Sequence, residues 1–148
     1  MANTIAAISE LSADVWGEPD GPYTGHTTPH GVGTGNVDHL IWSLAERGAG
    51  YVPDGLTVAQ ERCNILQAAA YADAVALNAR DHSDKRVTGR VRMRAEQFAG
   101  MLREFDAAHG TWSGAISPDD AYFVREIGAE REFVRQEWDA HTNHEFCR

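Results

Sequence analysis

Imidazole and thiolate are the side chains best suited to hold a transition metal, and this chain carries them in two groups. His26 and His30 lie four residues apart, and His141, His144 and Cys147 follow one another at steps of three. If the fold joined the two groups, His26 and His30 with His141, His144 or Cys147 would make a tetrahedral zinc site. The sequence has no CxxC, no HExxH and no repeated ExxH pair of the kind a di-iron bundle requires. Zinc is the one cofactor these residues suggest. The competing expectation is no cofactor, with residues 141–148 a solvated tail.

Other chemistry finds less support. Residues 31–36 (Gly-Val-Gly-Thr-Gly-Asn) lead into a helix and could cradle an anion. They follow no strand and contain no Gly-Lys-Ser/Thr, so a flexible approach to a capped helix is the better reading. No serine stands in a Gly-x-Ser-x-Gly elbow. Asp119 and Asp120 are first-turn acids at a helix start, where carboxylates are favoured without any catalytic role. Cys63 sits among apolar helix residues and reads as an inert packed thiol, with reduced cysteines the default in cytosol. No catalytic residue is assigned.

Three arginines suggest binding instead. Arg86, Arg90 and Arg94 recur every fourth residue, a stripe along one helix that Lys85 and Arg92 widen. Residues 80–94 hold Arg80, Lys85, Arg86, Arg90, Arg92 and Arg94 against Asp81 and Asp84, a local +4 that leaves −13 elsewhere. Such a stripe is expected to pair with acid, either Glu126, Glu130 and Glu137 of the same chain or a neighbouring subunit. Aromatics do not interleave with it, which disfavours single-stranded nucleic acid. Trp112, in the loop 109–114, is the tryptophan expected at a contact surface. Tyr23 is the expected anchor of a second contact element, residues 17–35. That stretch holds six Gly, three Pro and four Thr. It can bury little apolar surface of its own, so it reads as a loop that stays mobile or orders against a partner.

The elements that must position these residues are helices. Asn3 caps a first helix over 4–16 and Asn36 a second that ends at Gly48. Thr57 and Gln60 form a capping box for a third, which continues through an alanine-rich run to Leu77. A fourth spans about 84–108, with Val87, Val91, Phe98, Leu102 and Phe105 on one face. A fifth opens with Ser117 as cap and Pro118 at its first position, then runs to His141. Leu66, Ala69, Phe98, Leu102, Ile127 and Val134 are the expected core. The fold expected is all-α: one domain over 1–148, a bundle of about five helices with one long Gly/Pro-rich loop.

Composition narrows the class. The chain has 148 residues, 43% hydrophobic and 24% charged, with a net charge of −9. It has no apolar run of the roughly 18 residues needed to span a bilayer. Its acidity disfavours nucleic acid and anionic membranes as partners. The first ten residues contain no Lys or Arg, so no secretory signal is expected. Thirteen cations of which only Lys85 is lysine, beside many Ala and Gly, point to GC-rich coding in a bacterium or its phage. Three functional readings remain. The first is a non-enzymatic assembly or interaction protein, self-associating or part of a larger bacterial or phage structure, cytoplasmic or in the virion. The second is a small metal-dependent bundle built on the histidine groups. The third is an acidic regulator that binds a host or cellular protein.

Overall fold

The computed structural model describes residues 50–120, 122–123 and 128–142, for 141–142 the backbone alone. The helices expected over 4–16 and 36–48, the 17–35 loop and the end of the tail lie outside the described residues. Among the described residues three helices are delimited, α1 (Val58–Asn78), α2 (Lys85–His109) and α3 (Ala129–Thr142), and residues 122–123 are also helical. No strand occurs among the described residues.

α1 starts where the capping box places it. Thr57 Oγ1 accepts from Gln60 N at 3.1 Å, and Thr57 N donates to Gln60 Oε1 at 2.8 Å. Its alanines let neighbours approach closely, and residues 65–76, Gln67 aside, are buried almost all the way round. A helix apolar on every side belongs at the centre of a fold, and α1 packs against both α2 and α3.

α2 is capped by Asp84, which accepts from Arg86 N at 2.9 Å. The Arg86 side chain and backbone N–H hold the Asp84 carboxyl below its ordinary pKa. Val87, Val91, Ala95, Phe98, Leu102 and Phe105 form its buried stripe. Gly110 ends it in the left-handed conformation, φ 65°, which glycine adopts without the Cβ clash other residues meet.

The fifth predicted helix is corrected from one continuous helix to an interrupted one: residues 122–123 are helical, and α3 follows after Gly128. Ser117 caps a short turn: its Oγ accepts from Asp119 N at 3.3 Å, and its carbonyl accepts from Asp120 N at 3.0 Å. α3 begins only at Ala129, after Gly128 at φ 82° breaks the helical register. The apolar spacing survives that interruption, because Phe123 stacks edge-on to Phe133 with ring centroids 5.3 Å apart. Leu66, Ala69, Phe98, Leu102 and Val134 are buried as expected; Ile127 lies outside the described residues.

Candidate functional site

The sequence reading missed the feature that organises the described structure. Charged residues occupy core positions of all three helices. Arg62, Leu66, Ala69, Asp73 and Ala76 follow one helical stripe of α1, so two ionic side chains share a face with the alanine core. Asp106 continues the buried stripe of α2 one turn past Leu102, and Glu137 lies between Val134 and Trp138 on α3.

These side chains find one another. Arg62 donates from Nε to Asp106 Oδ1 at 2.7 Å and from Nη2 to Asp106 Oδ2 at 2.9 Å, a fork that fits a carboxylate. The same Nη2 donates to Glu137 Oε1 at 2.6 Å. Arg62 is 3% exposed and both carboxylates 0%. Burial alone would lower the Arg62 pKa, but the bonds and charges of Asp106 and Glu137 hold it above its ordinary value. A second cluster closes the other end of the α1–α3 contact: buried Asp73 accepts from Arg131 Nε at 2.5 Å and Arg135 Nε at 2.8 Å.

One guanidinium cannot neutralise two carboxylates, and the remainder is met by the segment after α2. Glu137 accepts from Ser113 N at 2.6 Å and Gly114 N at 2.7 Å, one backbone donor on each oxygen. Thr111 Oγ1 donates to Asp106 Oδ1 at 2.7 Å. Next along α3, Gln136 accepts from Ile116 N at 3.1 Å and donates to Ile116 O at 2.9 Å, as a neighbouring strand would. Arg103 Nη1 donates to Pro118 O at 3.3 Å. Residues 111–118 are therefore fastened along their length to the buried charges and their neighbours. The fit is close: a Cβ added at Gly114 would overlap the Gln136 side chain.

From this fastened segment Trp112 and Ile116 project outward, 37% and 41% exposed. The ionic cluster itself is closed to solvent. Both carboxylates and the Arg62 Nε and Nη2 are engaged in internal bonds and are buried, so a substrate reaches them only if the bundle opens. What the arrangement does is hold a loop in one conformation and display apolar side chains on it.

The other predicted residues are placed as follows. Arg86 is exposed and pairs with Asp84 at 3.3 Å within its own helix start. Arg90 is exposed and Arg94 half-buried. Of the acids expected to pair with this stripe, Glu137 serves Arg62, and Glu130 lies 3.6 Å from Arg103. Glu126 is outside the described residues, as are Tyr23, His26, His30, His144 and Cys147. His141 falls in the last turn of α3, its side chain not described. Among the described residues no group of three or more His, Cys, Asp and Glu could hold a metal ion. Cys63 is buried as expected, but it is disulfide-bonded, which corrects the reading of a free thiol. Apolar neighbours predict burial; they do not report on oxidation state.

The signal for the ionic core was present in the sequence. Arg62, Asp73, Asp106 and Glu137 interrupt apolar stripes at positions that demand burial, and both signs are represented. Buried ions persist when paired, so charges at core registers on different helices predict that those helices meet.

Among the described residues no helix is long and apolar enough to cross a membrane. No protein-family model, curated protein or solved structure matches this chain.

Proposed function

We propose that this protein is a non-enzymatic interaction module, a subunit of a larger bacterial or phage assembly, whose contact element is the loop 111–116. One observation carries the reading: a surface loop is hung on the buried carboxylates of Asp106 and Glu137 while it exposes Trp112 and Ile116. Ordering a loop and its side chains at the moment of binding subtracts from affinity. A loop already fixed by charge-assisted bonds avoids most of that loss. Tryptophan is the side chain most enriched among dominant interface contacts. An ionic core also gives the bundle one register, so the display geometry is defined.

The test is the mass of the native species in its own lysate, compared with the Trp112→Ala and Ile116→Ala variants. The reading requires a complex heavier than the 16.2 kDa chain that either truncation weakens about tenfold or more. Helical content should stay unchanged. A complex that survives both truncations intact, or a native species that is monomeric, refutes it.

A further inference from the structure

α2 carries a second surface on which several charges are exposed without an ion-pair partner among the described residues. Glu104 lies about five turns of 3.6 residues beyond Arg86 and returns to the same side of the helix. Between them Arg90, Met93 and Gln97 fall within the same sector, and all five side chains are exposed. Met93, at 68%, is the most exposed large apolar side chain among the described residues. The buried stripe of Val87, Val91, Phe98 and Leu102 occupies the opposite side.

The two ends of this face differ in sign. Its N-terminal half presents Arg86 and Arg90, flanked by Lys85 and Arg92; Lys85, Arg90 and Arg92 make no ion pair among the described residues. Its C-terminal half presents Glu104, whose charge, with that of Glu96, acts on Glu130 of α3; among the described residues Arg103 is the one cation paired with Glu130. Burial pushes the Glu130 carboxyl above its ordinary pKa. Arg103 opposes that shift, and the charges of Glu104 and Glu96 add to it. One half of the face has base in excess, even with Asp84 on Arg86, and the other has acid in excess.

Resting on the interaction-module reading and naming a partner for it, we infer that this face binds a second copy of the chain, with the two α2 helices antiparallel about Gln97. Arg90 and Glu104 lie equally far along the helix from Gln97, about 10 Å at 1.5 Å per residue. A twofold axis at Gln97 sets each Arg90 opposite Glu104 of the other copy. The self-complementary patch required of a closed dimer is therefore already present. A nucleic acid would satisfy the basic half and be repelled by the acidic one. A second copy, reversed, satisfies both.

The test uses purified full-length protein at low salt, with self-association followed by sedimentation or light scattering. The wild type forms dimers that weaken as salt screens the pairs. Arg90→Glu alone and Glu104→Arg alone each turn two attractions per dimer into repulsions and weaken association about tenfold or more. Mixing the two variants restores it as a heterodimer, because Arg90→Glu in one chain then faces Glu104→Arg in the other while the untouched pair remains. Wild-type protein that stays monomeric up to about 1 mM overturns the inference. So do single variants that associate like the wild type, or a mixture that fails to recover. Loss on Arg90→Glu but not on Glu104→Arg also overturns it, and points to another acidic segment over the basic half. Circular dichroism of each variant reports that the helices are intact. The outcome is separate from the Trp112 test: a monomeric purified protein that still enters a Trp112-dependent complex in lysate defeats this inference alone.

Discussion

Replacing Arg62 with methionine tests the ionic core. The substitution keeps most of the side-chain volume and deletes three charge-assisted bonds, of 2.7, 2.9 and 2.6 Å. Asp106 would retain the Thr111 hydroxyl, and Glu137 would retain Ser113 N, Gly114 N and the Gln136 amide. Both carboxylates, 0% exposed, would then face one another without a cation. Removing one partner from a buried ion pair costs about 3–5 kcal/mol, a large share of the roughly 5–15 kcal/mol that holds a domain folded. At this chain length, each kcal/mol lowers Tm by roughly 4 °C, so the variant should melt about 10–20 °C below wild type. Urea unfolding of wild type and variant at pH 7 measures the loss. A deficit below about 1 kcal/mol would refute the claim that Arg62 neutralises these carboxylates. Arg62→Lys keeps the charge but not the fork, and should fall between wild type and Arg62→Met.

Leu102 is fully buried in the α2 stripe, so Leu102→Ala should cost about 2–5 kcal/mol in urea unfolding, most of it from the cavity. Gly114→Ala should dislodge the Gln136 side chain that the new methyl would overlap and release the loop; faster hydrogen exchange at Ser113, Gly114 and Ile116 with little change in Tm would register it. Glu130 has a folded pKa raised above its ordinary 4.5, so the native state binds more protons than the unfolded chain between those values. Stability contributed by this residue is therefore present below pH 4.5 and lost as pH rises through the folded pKa. Glu130→Gln should flatten that part of the stability curve, seen by thermal melts at half-unit pH steps.

Local rules sufficed for much of the helical architecture. The Thr57–Gln60 box and the Asp84 cap act through bonds spanning two or three residues, so their donors and acceptors are visible in any short window of sequence. The same holds for the buried stripe of α2, because helical periodicity is a local property. The start of α3 was misplaced for a related reason. Ser117, Pro118 and two acids make a strong local start signal, and Gly128 is tolerated in many helices; here it takes φ 82° and α3 starts only after it.

The candidate site divides in the same way. The exposure of Trp112 was legible because a tryptophan among Gly, Thr and Ser in a short loop has few neighbours to bury it. The sequence alone showed a basic stripe on one helix and ample acid elsewhere, but not which acid goes with which base. Coulombic attraction is nearly indifferent to position along the chain, so Glu137 had as much claim on Arg90 as on Arg62 until the helices were in place. The fold decided it by depth. Arg62, Asp106 and Glu137 stand on the inward stripes of three helices, where an unpaired charge is too costly to keep. Arg86 and Arg90 stand on an outward one, where water screens them and no partner is compelled. That difference leaves one set of charges spent on holding the loop and the other exposed on the surface of α2.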